Sequence, residues 1–392
     1  KMANDLTFTQ LSSILTEIAK AATGQSFTAP INTSEFVNMA QVALKTGYDP
    51  LNTAISQVMT NRDTIFSIRP YEAKFRGFEM SRERFGNATR KLQISDAEWE
   101  NDNRFELVDG QSIDQYVVKK PKVLQTNFYG ANVFSDFVTI YKDQLDNAFS
   151  GVSQLGEFFT MVMTNMSDRM EQARENLTRS ALANLICSTA LINRPESNIH
   201  IITASNNNTG ESLTPTTVYA PENYKPFMEW ACAYLAQISG MMTERSLLYH
   251  QNVSGKPVMH HTPLSRQKVY ISAMQDFQMT SRVLANAYHD NFIKLADHEA
   301  VNFWQDINNP YDVSCEATYT NTSGSLETAS SKTVEDIFGV IFDEEAAGWT
   351  EVNRWMLPTP MNASGGYTNY HYHFTNRYFN DNLENCCVIT LD

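Results

Sequence analysis

The sequence predicts an α+β protein that combines one long helix with many short strands. Apolar residues recur every three or four positions between residues 153 and 192, a spacing that places them on one face of a helix. Polar and apolar residues alternate in short stretches such as 91–94 and 370–375, which is the pattern of strands. At about 1.5 Å per residue the helix would be roughly 55–60 Å long, whereas a typical helix has about 11–12 residues. We therefore expect the rest of the chain to pack along this helix.

The long helix has two different faces and recognisable ends. Ser153 can cap its start, and Pro195 prevents its continuation. We expect the apolar face to pack against the strands that close the chain. The opposite face is expected to be available to solvent or to neighbouring molecules, and it carries Asp168, Arg169, Glu171, Arg174, Glu175 and Arg179.

The composition of the 392-residue chain excludes several classes of protein. Its net charge is −14, and because tight binding to nucleic acid depends on Lys and Arg contacts, we expect no strong or sequence-specific DNA binding. We find no apolar run of roughly 18 residues and no secretory leader, so we expect no membrane association. Five cysteines without metal-ligand or CxxC spacing favour folding in the reducing cytoplasm.

The first 60 residues contain three short apolar stripes at helical spacing. None is long enough to form a stable helix alone, so this segment must lie on other parts of the protein. We interpret it as an N-terminal arm.

Residues 69–122 carry eleven basic and ten acidic residues, about twice the charge density of the whole chain. Alternations at Lys91-Leu92-Gln93-Ile94 and Arg104-Phe105-Glu106-Leu107 predict the strands of a long hairpin. The hairpin is either a solvated excursion or, as we favour, an arm that lies across a neighbouring molecule. Single exposed ion pairs contribute about 0–1 kcal/mol each, so such an arm would depend on repetition. The candidate contact residues are Arg82, Glu83, Arg84, Arg90, Lys91, Glu98, Trp99 and Glu100.

The second half of the chain alternates strand and helix signals, which predicts a mixed α/β unit followed by closing strands. The predicted helices span 226–250 and 272–289. The predicted strands span 258–259, 269–271, 292–295, 337–342, 370–375 and 387–391. Loops are expected at 206–210 and 321–331.

A search for catalytic chemistry gives only weak candidates. His371 and His373 share one strand face and could hold a metal ion, but a third ligand is not evident and a polar strand face is favoured. His260 and His261 point to opposite faces of the predicted strand. The acidic run at 343–345 is interpreted as a solvated turn. The sequence has no G-x-S-x-G nucleophile elbow, no H-E-x-x-H zinc-binding motif and no phosphate-binding loop. We therefore predict neither an enzyme nor a bound cofactor or metal.

The order of these parts resembles the major capsid proteins of tailed bacteriophages with the Hong Kong 97-type fold. The tract Gln125-Thr-Asn-Phe-Tyr-Gly-Ala-Asn-Val-Phe134 is similar to capsid proteins of short-tailed phages. So are Asn353-Arg-Trp-Met, Tyr370-His-Tyr-His-Phe374 and Cys387-Val-Ile-Thr-Leu391 near the end of the chain.

The resemblance implies a domain plan and a function. It implies a protein that self-assembles into hexamers and pentamers, forms an icosahedral shell around double-stranded DNA, and works with portal and scaffolding proteins in the host bacterial cytoplasm. An encapsulin-like compartment shell and an unrecognised soluble enzyme remain alternatives. The implied parts are an N-terminal arm (1–60), an extended loop or E-loop (61–127), a peripheral domain with the long spine helix (128–195), an axial domain (196–340), and closing strands shared by both domains (341–392).

Overall fold

The computed structural model of the chain describes residues 7–60, 88–96, 106–112, 116, 118, 120–129, 132–282 and 298–392. These residues form both helices and antiparallel-rich sheets, so the predicted α+β class is confirmed. Within the described part of the chain, no helix is long and apolar enough to cross a membrane.

The first half of the chain is mainly helical. Three helices come first, a two-stranded hairpin and one long strand follow, and a short helix leads into the long one. The elements are α1 (Phe8–Thr23), α2 (Thr33–Lys45), α3 (Tyr48–Thr60), β1 (Ala88–Ile94), β2 (Val123–Tyr129), β3 (Asn132–Tyr141), α4 (Lys142–Ala148) and α5 (Val152–Ile192).

The second half alternates helices with short strands and ends in three longer strands. The elements are β4 (Asn198–His200), α6 (Ile201–Thr209), α7 (Pro221–Met242), β5 (Gln267–Ser272), α8 (Ala273–Arg282), β6 (His298–Val301), β7 (Val313–Cys315), β8 (Thr318–Thr320), β9 (Leu326–Thr328), β10 (Lys332–Val334), β11 (Ile337–Asp343), β12 (Ala347–Pro358), β13 (Tyr367–Asn380) and β14 (Cys386–Thr390).

The predicted long helix is confirmed as α5, with a correction at its start. Gly151 occupies the cap position, and Ser153 is the second residue of the helix, with its hydroxyl 3.4 Å from the Glu157 carboxylate, so the predicted Ser153 cap is wrong. At the other end Asn193 adopts the left-handed conformation with φ 49°, and its N–H donates to the carbonyl of Thr189. The helix therefore ends before Pro195, as predicted.

The first half of α5 belongs to one hydrophobic core. Its apolar residues pack between the three N-terminal helices and a three-stranded antiparallel sheet in the order β12-β13-β3. Tyr370, Tyr372 and Phe374 point from β13 into this core, so the expectation that the helix packs on the closing strands is confirmed. The helical residues buried there are Leu155, Phe158, Val162, Met166 and Met170.

The second half of α5 covers one face of a five-stranded sheet in the order β4-β14-β11-β5-β6. Helices α6 and α7 cover the other face. Neighbouring residues of β14 alternate between these two cores: Cys386 and Val388 face α5, whereas Cys387 and Ile389 face α7. The sheet is thus buried on both faces, which explains the continuous apolar runs of β11 and β14.

The polar face of α5 is less exposed than predicted. Glu175 and Arg179 are buried and form an ion pair at 2.7 Å, and the Arg179 guanidinium also donates to the carbonyl of Phe303. Arg174 contacts the buried carboxylate of Glu351 on β12. The expectation that this face meets only solvent or neighbours is therefore wrong for the Arg174–Arg179 part, because β12 and the Phe303 region cover it.

Several predicted boundaries in the second half are also wrong. Helix α7 begins at Pro221, where a missing N–H costs nothing, and ends at Met242 rather than near residue 250. The predicted loop at 206–210 is helical up to Thr209, because the Asn206 side chain bridges both backbone groups of Leu213 at 2.8 Å. Val258 and Met259 are irregular rather than strand. The predicted strand at 292–295 and the predicted helix beyond 282 lie outside the described residues.

A charged hairpin and its anchor

The stem of the predicted hairpin is formed by β1 and β2, which pair antiparallel from Ala88 with Tyr129 to Ile94 with Val123. The strand predicted at 91–94 is confirmed. Glu106 and Leu107 are described and adopt turn and irregular conformations, so the second predicted strand is wrong for those two residues. We call residues 88–96 and 120–129 the hairpin stem.

The candidate contact residues divide into three groups. Arg82, Glu83, Arg84, Glu98, Trp99 and Glu100 lie outside the described residues. Arg90 lies on β1 with an exposed side chain. Lys91, the next residue, faces its own chain. An inter-subunit role for these residues stays a prediction, but the contacts of Lys91 give it a different, intramolecular task.

The Lys91 ammonium group lies among three carboxylates of the same chain. Its Nζ atom is 3.2 Å from Asp381 Oδ2 and 3.5 Å from Glu345 Oε2, and it also contacts Glu384 Oε1. The side chains of Asp381 and Glu384 are only 1% and 5% exposed, whereas Glu345 is 43% exposed. Buried charges are tolerated only when they are paired and hydrogen bonded, so Lys91 and the two buried acids depend on one another.

Two histidines extend this group. His260 Nδ1 lies 2.9 Å from Glu384 Oε2, and the His250 ring packs edge-on against His260 at 4.5 Å between centroids. The nitrogens of His250 lie 3.0 Å from Asn385 Oδ1 and 2.8 Å from the carbonyl of Val258. We call Lys91, His250, His260, Asp381 and Glu384 the anchor cluster.

Burial and charge shift the protonation equilibria of the anchor cluster. Burial, helped by His260, lowers the pKa of His250 to about 4. Burial alone would raise the pKa of Glu384, but the hydrogen bond from His260 and the charge of Lys91 lower it to about 2. Burial raises the pKa of Asp381 in spite of Lys91. Although burial opposes it, the charges of Asp381 and Glu384 raise the pKa of Lys91, which therefore stays protonated.

A second set of contacts holds the far end of the stem on residues 245–259. The Ser95 hydroxyl and the Asp96 N–H both donate to the carbonyl of Pro257 at 2.9 Å. The Asp96 carboxylate pairs with Arg245 and accepts from the N–H of Met259. The strand opposite is held by Lys122, Lys256 and the ring contact of Phe128 with Phe379 at 5.2 Å. The stem is therefore fixed to its own subunit along its length.

Sequence reasoning missed most of the anchor cluster. The sequence predicts only that His260 and His261 point to opposite faces of a strand. The structure places His260 against His250, because a bridge between Ser246 and His260 folds the two segments together. Asp381 and Glu384 were not singled out. The available signal was that these two acids lie three residues apart just before the apolar strand β14. Acids so close to a buried strand are expected to be partly buried and therefore to need a cation.

The histidines proposed as a weak metal site lie elsewhere, on the outer face of the β12-β13-β3 sheet. His373 stacks on Trp355 at 3.9 Å and His371 lies against Phe137 at 5.3 Å. In the described ranges, no group of three or more His, Cys, Asp or Glu side chains is arranged to hold a metal ion.

The outer face of the β12-β13-β3 sheet also exposes Val133, Phe137, Trp355 and Leu357. Contiguous exposed apolar residues of this kind are typical of protein–protein contacts.

Comparison with solved structures identifies the fold. The chain is similar to the capsid structure of Staphylococcus phage Andhra, with 11% identity and a TM-score of 0.55 over 81% of this chain and 84% of that one. It is also similar to a chain in the structure of head fiber and inner core protein gp22 of native bacteriophage P68, with 10% identity and a TM-score of 0.53 over 82% and 85% of the two chains. The fold is that of phage capsid proteins of the Hong Kong 97 type.

The family follows from the sequence itself. Residues 16–390 match the model of the Phi29-like phage major capsid protein, and the chain belongs to that family. No curated protein matches the chain. The chain is thus a structural protein of the virion that forms the capsid shell, and the compartment-shell alternative is not favoured.

We predict that Lys91→Met destabilises the folded subunit while Arg90→Met does not. Removing Lys91 leaves Asp381 and Glu384 buried without their cation, which costs about 3–5 kcal/mol. Arg90 is the exposed neighbour, so its replacement should change stability by about 0.5 kcal/mol or less. Urea unfolding of the unassembled chain measures both values. Equal stabilities of the two variants would show that the anchor cluster contributes little.

We also predict that acid destabilises the subunit through His250. Its ordinary pKa is 6.5 and its folded pKa is about 4, so the unfolded chain binds a proton that the folded chain excludes. The resulting stability is fully present above pH 6.5 and is lost as the pH falls toward 4. His250→Asn should flatten the pH dependence of the urea midpoint over this window, whereas His371→Asn on the outer sheet face should retain it. A wild-type slope in His250→Asn would contradict the assignment.

Proposed function

We propose that the chain assembles into hexamers and pentamers of an icosahedral shell that encloses the double-stranded DNA genome of a phage. The observation that carries this proposal is the match of the major capsid family model to residues 16–390, nearly the whole chain. Assembly is proposed to take place in the cytoplasm of the host bacterium, together with portal and scaffolding proteins. The five free cysteines agree with a reducing compartment.

We propose further that the hairpin is an arm that lies across a neighbouring subunit, as the E-loop. Support comes from the stem, which the anchor cluster and Asp96 fix to the hairpin's own subunit. A fixed stem gives the chain between β1 and β2 a defined origin and direction. That connecting segment and the residues preceding β1 carry six of the eight candidate contact residues.

The long helix and the first core are proposed to form the peripheral domain, and much of residues 196–340 the axial domain near the hexamer and pentamer centres. The separation of the hydrophobic cores supports this division, since the buried apolar residues of the described N-terminal helices belong to the β12-β13-β3 core. The exposed apolar outer face of that sheet is a surface on which a second copy can pack during assembly.

The excess of acidic over basic residues would be useful in such a shell. With a net charge of −14, its wall is not expected to bind phosphates strongly, so that densely packed DNA can move during entry and exit.

A triple variant tests the arm without disturbing the anchor. Arg82→Ala, Arg84→Ala and Arg90→Ala together omit Lys91, so the subunit should fold with unchanged circular dichroism and unfolding temperature. The fraction of chains in closed particles should fall roughly tenfold or more, because weak ion pairs are repeated at every contact. Light scattering and electron microscopy measure this fraction.

The matched control replaces three exposed lysines elsewhere, Lys20, Lys45 and Lys225, by Ala, which removes the same charge. It should assemble as the unmodified chain does. If both triple variants assemble normally, the arm proposal is wrong. If the arginine variant unfolds as a monomer, the segment is part of a core. If the unmodified chain remains a monomer under every condition, the shell proposal fails as well.

Purified shells are predicted to bind duplex DNA weakly at physiological salt. Filter binding at several salt concentrations measures the affinity and its salt dependence. Tight binding with a steep salt dependence would mean that basic residues line the inner wall.

A further inference from the structure

Two of the five cysteines meet where the second half of α5 contacts the ribbon of β7 and β10. Cys187 on α5 is fully buried, and Cys315 at the end of β7 is half-buried. The Cys187 thiol donates to the carbonyl of Lys332 at 3.3 Å, and Lys332 is the direct antiparallel neighbour of Cys315. The Cys315 thiol donates to the carbonyl of Ala183, one turn before Cys187, at 3.4 Å. In these crossed hydrogen bonds each thiol contacts the backbone beside the other cysteine, so the two thiols are neighbours.

The two thiols also interact with each other and differ in acidity. The interaction with the Cys187 side chain lowers the pKa of Cys315, although the partial burial of Cys315 opposes this. The same interaction and burial raise the pKa of Cys187. Cys315 is therefore both the more accessible and the more acidic thiol of the pair. Thiolate character and access are what make a cysteine react first.

The other three cysteines lack these properties. Burial raises the pKa of Cys232 to about 11 and that of Cys386 to about 12. Cys386 and Cys387 are adjacent on β14, but their side chains lie in different cores on opposite faces of the sheet. Buried thiols with raised pKa values are slow to attack a disulfide in solution, so these three cysteines are not expected to react first.

We propose that Cys187 and Cys315 form a thiol–disulfide site, which closes to an intrasubunit disulfide by exchange with a small disulfide such as glutathione disulfide. The Cys315 thiolate attacks one sulfur of glutathione disulfide, forms a mixed disulfide and releases one glutathione. Cys187 then gives up its proton and attacks the Cys315 sulfur, which forms the Cys187–Cys315 bond and releases the second glutathione. Two protein thiols are oxidised and one glutathione disulfide is reduced.

The bond ties the long helix to the segment that carries β7 and β10. Because the cysteines are far apart in sequence, the link closes a long loop in the unfolded chain and stabilises the folded one. The site lies within one subunit, so it operates whether or not the chain assembles as proposed above.

The test begins with the purified full chain, reduced and then exposed to rising concentrations of glutathione disulfide. Alkylation and peptide mass mapping should give one peptide pair linked through Cys187 and Cys315, with the other three cysteines alkylated. The unfolding temperature should rise by roughly 5–10 °C, and dithiothreitol should reverse the rise. The proposal is overturned if all five thiols stay free, if Cys315 keeps its glutathione, or if either cysteine pairs elsewhere.

Three single variants test the order of the steps. Cys187→Ser should hold the mixed disulfide at Cys315, and Cys315→Ser should leave Cys187 unmodified under the same exposure. Cys232→Ser, at another buried cysteine, should oxidise as the unmodified chain does. If Cys187→Ser does not fold, the Cys315→Ser variant still tests the order of the two steps, because Cys315 is only half-buried. Modification of Cys187 in that variant, at the rate seen in the unmodified chain, would overturn the proposed order.

Discussion

The whole subunit depends on burying both halves of one 41-residue helix against two different sheets. A helix of that length exposes a long apolar stripe, and in proteins such a stripe is stabilised mainly by what packs on it. The first half is covered by the β12-β13-β3 sheet and the N-terminal helices, and the second half by the five-stranded sheet. The helix thereby fixes the distance between two cores that would otherwise be independent.

The charged hairpin shows how a strongly charged segment can be fixed to its own subunit at its stem. Leu92, Ile94 and Val123 in its stem are exposed, so the position of the stem comes mainly from buried charge pairing and from hydrogen bonds to the backbone near Pro257. Buried ion pairs are weak sources of stability but strict about geometry, since a displaced cation leaves two carboxylates buried alone. The anchor cluster is thus better suited to fixing the direction of the hairpin stem than to adding net stability.

Sequence periodicity was sufficient for the elements that bury a regular face. The long helix, β11, the inward alternation on β13, and the strand at 91–94 could all be predicted because their neighbours in sequence carry the pattern. The end of α7 and the asparagine-rich end of α6 could not, because local side-chain bonds and tertiary packing override propensity there. The anchor cluster was also out of reach: Lys91 meets Asp381 across 290 positions, and only the folded chain brings them together.

The position of β14 has a consequence for how the subunit is made. This strand follows all the other described elements in the chain, yet it lies inside the five-stranded sheet, between β4 and β11, and contributes to two cores at once. During synthesis, the edges of β4 and β11 that pair with β14 remain unpaired until β14 has been made. The five-stranded sheet can therefore be completed only after residue 390 has emerged from the ribosome. A polypeptide that ends before Cys386 lacks an internal strand of its own sheet. Only a chain that includes β14 can therefore bury both of these cores in full.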